Sequence, residues 1–405
     1  MWKTVKLGDV CTVTNGSTPL RKEKRYWEEG NIPWFTIDDF RVQGKNIRYT
    51  KQNVTQAAVD DKKVRLVPAN SVLLCCTASI GVTAIARVPM ATNQQFNALT
   101  PKSSSLNSDY LYFVATTLTK NLLSVSGSTT INFVSMSKLK NISIPLPPLE
   151  EQKRIVAKLD AAFAEIDEAI ELTALKKEEI NKFKCSILNI NNKKNDFYNS
   201  ALNNWEELKI GDICDLMTGG TPSRKVPEYF DKGEIKWLVS GDINQKEIFD
   251  CDGRITEEGF NNSSVKFLPK NSVLIALNGQ GKTRGTVAIL RTKATCNQSL
   301  VSIFPKPGVN LNTKYLYYFL EGMYDKIRRI TGDSGNDRRG LNMPLIRNIK
   351  ILLPTIKEQE NIISKLEIVI NELDIANGVL KESTKNYEAL KSAILLKELQ
   401  PSEAA

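Results

Sequence analysis

The sequence predicts an α+β fold with a pseudo-two-fold internal repeat: two similar mixed α/β domains, separated by two long antiparallel coiled-coil helices. Three observations carry this. The 405-residue chain repeats itself at an offset that drifts only from 201 to 207 residues. Each repeat opens with short β-rich runs set between proline, glycine and asparagine turns, the pattern of strands. Each closes with about 40 residues whose seam positions step by three and four without a break, the pattern of paired helices.

The repeat is visible residue by residue. NGSTPLRKEKRYW (15–27) returns as TGGTPSRKVPEYF (218–230), Trp2 falls on Trp205, Gly8-Asp9 on Gly211-Asp212, and Trp34 on Trp237. PANSVLL (68–74) matches PKNSVLI (269–275), DYLYF (109–113) matches KYLYY (314–318), and EEQKRIVAKLD (150–160) matches KEQENIISKLE (357–367). So long a period is a whole-unit duplication and not a solenoid. It gives a domain at 1–148, a long helix and asparagine-rich linker at 149–204, a second domain at 205–353 and a second long helix at 354–405. Within the domains, SVLLCCT and SVLIALN read as strands, while 109–123 and 314–330, with clustered Tyr, Phe and Leu, read as helices. Many short strands with glycine-rich loops predict an irregular, mostly antiparallel sheet.

The first long helix places Val156, Leu159, Phe163, Ile166, Ile170, Thr173, Lys177, Ile180, Lys184 and Ile187 on one seam. The second places Ile363, Leu366, Ile370, Leu373, Asn377, Leu380, Thr384, Tyr387, Lys391 and Ile394 there. Proline precedes each start and glutamates occupy the first turn, as helix N-termini favour. Such a helix spans roughly 60 Å. A helix resting on its own domain's core is the plainer reading. The narrow seam, the length and the two copies favour the helices pairing with each other, with Asn377 and Lys177 fixing register. NINNKKNDFYNSALNN (189–204) holds seven asparagines in sixteen residues and reads as a loop long enough to turn the chain back.

Composition narrows the chemistry. Hydrophobic residues make up 41% and charged residues 25%, ordinary for a globular protein. No apolar run reaches the roughly 18 residues of a spanning helix, and the N-terminus lacks a signal peptide's apolar middle, so a cytoplasmic protein without membrane contact is expected. Seven cysteines with no C-x-x-C pair read as free thiols. There is no histidine, which excludes Ser-His-Asp and Cys-His nucleophiles and histidine metal sites. Asn278 to Thr283 ends like a phosphate-binding loop, but Ala276 stands where that motif needs glycine. Glu228, Glu234 and Lys236 are groups a nuclease uses, yet their counterparts are Arg25, Asn31 and Pro33, so ordinary surface charge is the better reading. No catalytic or metal-ligating residue is assigned.

The net charge is +10, and it sits in the globular regions. Residues 1–148 carry 18 basic against 9 acidic side chains and residues 205–353 carry 22 against 17, whereas both helical stretches are net acidic. Two basic bodies suggest a polyanion with two points of contact. The residues suited to it lie in hydrophilic loops that differ between the repeats while the framework repeats. The doubled loop offers Thr18, Arg21, Lys22 and Arg25 in one half, and Thr221, Ser223, Arg224 and Lys225 in the other. CTASIGVT (76–83) adds Thr77 and Ser79; its counterpart NGQGKTRGT (278–286) adds Asn278, Gln280, Lys282, Thr283 and Arg284. SGSTTINF (126–133) adds Thr129 and Asn132, and TGDSGNDRRGLN (331–342) adds Asn336, Arg338 and Arg339. Arginine takes guanine O6 and N7 together, Asn and Gln suit adenine, and Lys, Ser and Thr hold phosphates. Singly, each is as well explained as a solvated loop residue. Their clustering favours double-stranded DNA, and two similar frames with different loops would read two different sequences.

On the two GxTPxRK loops, the PLPPLEEQKRIVAKLD and LLPTIKEQENIISKLE helix starts and the duplicated domain–helix order, the chain resembles the specificity subunits of type I restriction-modification enzymes over essentially its whole length. The resemblance implies that each domain is a target-recognition domain for one half of a split DNA target. It implies that the paired helices hold these domains apart and dock two methyltransferase (modification) subunits, which bind S-adenosylmethionine and methylate adenine. Motor-nuclease (restriction) subunits, with ATP and Mg, would join for cleavage. This chain itself would catalyse nothing and bind no cofactor. Two other readings stay open: a DNA-sequence reader serving another enzyme or a regulator, and a coiled-coil scaffold that binds proteins through its globular domains.

Overall fold

The structure, a computed structural model, describes residues 2–119, 122, 134–190, 205–279, 281–332 and 340–400. The strands of the first repeat are β1 (Lys3–Lys6), β2 (Cys11–Asn15), β3 (Ile32–Phe35), β4 (Asn46–Ile47), β5 (Asn53–Val54), β6 (Val72–Cys75), β7 (Thr83–Ala86), β8 (Ala91–Thr92), β9 (Phe96–Pro101) and β10 (Ser143–Leu146). Its helices are α1 (Leu7–Val10), α2 (Ile37–Gln43), α3 (Gln56–Asp60), α4 (Ser108–Thr117), α5 (Met136–Lys140) and the long α6 (Leu149–Leu188). Strands β2, β9, β6, β7 and β4 form a five-stranded sheet in that order, β5-β3-β8 a small second sheet, and β1-β10 a two-stranded ribbon. Three of the four neighbouring pairs in the large sheet are antiparallel; β4 joins β7 in parallel.

The second repeat copies this. Strands β11 (Glu206–Lys209), β12 (Cys214–Thr218), β13 (Ile235–Leu238), β14 (Glu247–Ile248), β15 (Arg254–Ile255), β16 (Val273–Ala276), β17 (Val287–Leu290), β18 (Thr295–Cys296), β19 (Leu300–Pro305) and β20 (Lys350–Leu353) take the same three sheets in the same order. Its helices are α7 (Ile210–Ile213), α8 (Glu257–Asn261), α9 (Thr313–Gly322), α10 (Tyr324–Ile330), α11 (Met343–Arg347) and the long α12 (Ile356–Glu398). Even the register is shared: Val72 lies opposite Ile85, and Val273 opposite Ile289.

The repeated motifs turn out to be hydrogen-bonding devices. Asn70 and Asn271, before β6 and β16, both sit at φ 64°, a left-handed conformation that asparagine tolerates, and their N–H groups donate to Ala86 O and Leu290 O at 2.6 and 2.7 Å. β6 and β16 are buried along their whole length, so each reads as a continuous apolar run instead of an alternation. Tyr110 in α4 and Tyr315 in α9 are buried and donate their hydroxyls to Pro145 O and Leu352 O at 3.0 and 2.7 Å. Gln152, fully buried in the first turn of α6, accepts from the Asn107 N–H at 2.8 Å and donates to Ser105 O and Pro147 O at 2.9 and 2.8 Å. Gln359 in α12 does the same with Asn312, Asn310 and Pro354. Asn107 and Asn312 in turn cap α4 and α9.

The chain divides into two units, Met1–Thr173 with Glu382–Ala405, and Ala174–Lys381. In the first, one face of the large sheet (Val72, Leu74, Ile85, Leu99) packs on α4 (Tyr110, Phe113, Val114), on Ile155 and Leu159 of α6, and on Leu399 just past α12. Its other face packs on Phe35, Ile47 and Met90. In the second unit, Val273, Ile275, Ile289 and Ile303 meet Tyr315 and Phe319 of α9, Ile187 and Leu188 of α6, and Ile362, Ile363, Leu366 and Ile370 of α12. The long helices run antiparallel in the first unit and also pair in the second. In the first, Lys158 pairs with Glu398 at 2.7 Å, Asp167 with Lys391 at 2.6 Å and Thr173 with Thr384 at 3.2 Å. In the second, Lys184 pairs with Asp374 at 3.2 Å. Every seam position is at least partly buried except Lys177, which is exposed. The Asn377 amide oxygen is buried with no hydrogen-bond partner among the described residues. Both sequence readings of the helices therefore apply: their ends rest on domain cores while the seam pairs them. Of the asparagine-rich 189–204 stretch, residues 191–204 lie outside the described residues; Ile190 is buried in the second unit's core.

Candidate nucleic-acid interface

The doubled loop is held by the strand beneath it and by a tryptophan. A Cβ on Gly16 would overlap the Asn93 carbonyl oxygen and one on Gly219 the Cys296 carbonyl oxygen, so only glycine lets the loop cross β8 and β18 this closely. The buried indole N–H groups of Trp34 and Trp237 then donate to Ser17 O and Gly220 O, both at 3.0 Å. This fixes the threonine that follows: Thr18 donates to Gln94 Oε1, and Thr221 to Gln298 Oε1 at 2.5 Å. Both glutamines are exposed. Sequence reasoning missed them, although the signal was present: Asn-Gln stands at 93–94 and again at 297–298.

Beyond the threonine the copies diverge. In the first domain the Arg21 guanidinium lies 4.0 Å from the Trp27 ring centroid and 4.7 Å from that of Trp34, and donates to Gln52 Oε1 at 2.7 Å. Stacking of this kind holds a charged head in one pose while leaving its outward edge free. Lys22 is exposed, and Arg25 pairs with Asp61 and with the Tyr26 hydroxyl. An ion pair as exposed as Arg25–Asp61 contributes little stability and can be exchanged for a phosphate. In the second domain Ser223, Arg224 and Lys225 are exposed, and their side chains make no hydrogen bond or ion pair among the described residues.

The second loop pair lies between β6 and β7 and between β16 and β17. Thr77 is half-buried and Ser79 exposed, flanking Ala78 at φ 57°. Asn278 and Lys282 are exposed and Thr283 is half-buried. Arg284 differs from expectation. It is half-buried, its Nη2 donates to Gly332 O at 2.5 Å, and its Nε is buried without a partner among the described residues. That pose does not present the outward fork that guanine recognition requires. Thr129, Asn132, Gln280, Asn336, Arg338 and Arg339 lie outside the described residues.

Among the described residues no group of three or more His, Cys, Asp or Glu side chains gathers as a metal site, and no helix is long and apolar enough to cross a membrane. Burial pushes the Cys11, Cys214 and Cys296 thiols up to about 12 and Cys76 to about 11, so these sulfurs hold their protons at neutral pH. Lys236 is committed to Phe249 O, Thr292 Oγ1 and Asp250, a structural role.

Comparison with known proteins agrees with this arrangement. The family model for the type I restriction modification DNA specificity domain matches twice, over residues 1–182 and 203–384. The MjaIX specificity subunit of Methanocaldococcus jannaschii is 28% identical over 369 residues, covering 87% of this chain and 83% of that protein. The EcoprrI specificity subunit of Escherichia coli is 24% identical over 396 residues, covering 94% and 91%. The fold is shared with a solved chain from work on complex assembly and conformational transition of the type I R-M system, with a TM-score of 0.77 at 19% identity over 98% of this chain and 97% of that one. It is shared also with the HsdS subunit from Thermoanaerobacter tengcongensis, with a TM-score of 0.57 at 18% identity over 98% and 96%. The chain belongs to the type I restriction-modification DNA specificity family and carries two copies of its domain.

Proposed function

We propose that this chain is the specificity subunit of a type I restriction-modification complex: it binds a bipartite double-stranded DNA target and directs adenine methylation and restriction that partner subunits catalyse. One observation carries the reading. Two frames with the same strand order and the same buried hydrogen bonds present different exposed side chains at equivalent loops, with Arg21 stacked on two tryptophans in one and Arg224 and Lys225 exposed in the other. Shared frames with unlike loops suit two half-sites of different sequence.

Two methyltransferase subunits dock on the long helices in this reading, carrying S-adenosylmethionine, and motor-nuclease subunits bring ATP and Mg. Large apolar side chains off the seam support such docking: Leu172, Leu390 and Leu396 are exposed in the first unit, and Leu175, Phe183, Ile368, Ile375 and Val379 in the second. Mapping methylated adenines in the host genome, with and without this gene, tests the proposal. One interrupted motif should lose methylation on deletion and regain it on complementation. An unchanged methylation map would refute it.

A further inference from the structure

The two second loops are not the same length. Seven residues, 76–82, join β6 to β7, and ten, 277–286, join β16 to β17. A longer loop loses more conformational freedom when a ligand orders it. In the second domain α10 opposes that loss. The Tyr324 hydroxyl donates to Lys282 O at 2.7 Å, and Arg328 Nη1 donates to Gly281 O at 2.7 Å. From the loop side, Arg284 Nη2 donates to Gly332 O just past the helix. Gly285, at φ 85°, lets the chain return over Ile327 and Tyr324. The Arg328 guanidinium also lies 5.6 Å from the Tyr324 ring centroid.

Charge accompanies the latch. Lys282, Tyr324, Asp325, Arg328 and Arg329 line one shallow surface depression, three cations against one carboxylate. Lys282 and Arg329 are exposed. In the first repeat Thr119 occupies the position of Tyr324, and Leu123 and Ser124 those of Arg328 and Arg329. At these aligned positions the first repeat's sequence has neither the aromatic hydroxyl nor the two arginines.

We propose that α10 holds the second domain's reading loop in its DNA-bound form, with Tyr324, Arg328 and Arg284 as positioning residues and with Lys282 and Arg329 as phosphate contacts beside it. This rests on the DNA-reading function above and deepens it. A loop already ordered spends less binding free energy on ordering, so the sequence preference of the second half-site depends on side chains that touch no base. Arg284, which is turned inward, thereby acts on specificity through the loop it anchors.

The test uses the full-length chain with the methyltransferase subunits it assembles with, selected on a randomised DNA duplex pool. Tyr324→Phe deletes one hydroxyl and no charge. It should speed amide exchange in 277–286 by roughly three- to tenfold, the equivalent of one lost hydrogen bond. It should weaken base preference at the second half-site by a similar factor, and leave the first half-site and the salt dependence unchanged. Lys282→Ala and Arg329→Ala should do the converse: each lowers the salt slope by about one and leaves base preference intact. Unchanged loop exchange and second-half preference in Tyr324→Phe would overturn the positioning role. An unchanged salt slope in both charge variants would overturn the phosphate contacts. A wild-type complex that selects no sequence would overturn the DNA reading itself, an outcome distinct from the other two.

Discussion

Gln359 is fully buried at the start of α12 with its polar atoms engaged by three main-chain groups, so replacing it strands all three. A buried group left unsatisfied costs about 1–3 kcal/mol. Gln359→Leu should therefore destabilise the chain by about 3 kcal/mol or more in urea unfolding, and Gln152→Leu should do likewise. Asp109 gives a pH-dependent counterpart. Burial alone would raise its pKa, but the hydrogen bond and charge of Arg87 and the charge of Lys45 outweigh that and hold the carboxyl below its usual range. A lowered folded pKa means stability that is present above the unfolded value of about 3.9 and lost as pH falls through the folded one. Asp109→Asn should lower stability at pH 7 and flatten its decline below about pH 4. The second repeat solves the same problem with other charges: Arg291, at the position of Arg87, pairs with Glu247 where the first repeat has Asn46, and Lys314, at the position of Asp109, pairs with Glu367. The repeat alignment displays each of these positions. It cannot display which residue each one meets, because partners lie 22 to 64 residues away and sit opposite one another only after folding.

At the scale of elements, what is local in sequence was legible. The seam of α6 and α12 shows in the three-and-four stepping because a helix brings residues at that spacing to one side. Strands β6 and β16 show through apolar runs behind an asparagine turn. The antiparallel direction of the helices is an expectation from topology, and the ordered pairs Lys158–Glu398, Asp167–Lys391 and Thr173–Thr384 establish it within the first unit. The latch on 277–286 was not legible, because Tyr324, Arg328 and Arg284 bond main-chain carbonyls, and a carbonyl has no signature in the residue that carries it. For the same reason the basic character of 278–286 suggested Arg284 as a base reader, while its fold-back onto Gly332 left no trace in the sequence.

At the scale of the whole chain, the first unit is assembled from both termini, Met1–Thr173 and Glu382–Ala405. A fragment ending at Asn189 would lose the helix end that packs with Leu159 and Phe163. A second copy of the fragment offers a matching surface, because Lys184 and Asp167 stand at the repeat positions of Lys391 and Asp374. An antiparallel homodimer would thus form the Lys184–Asp167 pair twice, while Thr173 would face the other copy's Lys177 in place of Thr384. The fragment should sediment as a dimer at micromolar concentration. With methyltransferase subunits it should methylate an interrupted palindrome made of the first half-site and its inverse. A folded, monomeric fragment would show that the seam does not drive pairing.

The same chain order imposes a schedule on synthesis. Ile394, Leu395 and Leu399 complete the first core, and Glu398 closes onto Lys158, yet the second domain lies between them and the rest of that core. At ribosomal speeds of about 5–20 residues per second, roughly 10–40 s separate Leu188 from Leu399. For most of that interval the first domain is outside the ribosome with Leu159 and Phe163 lacking their α12 neighbours. On a polysome, the α6 of a neighbouring nascent chain carries seam positions matching those of the missing helix.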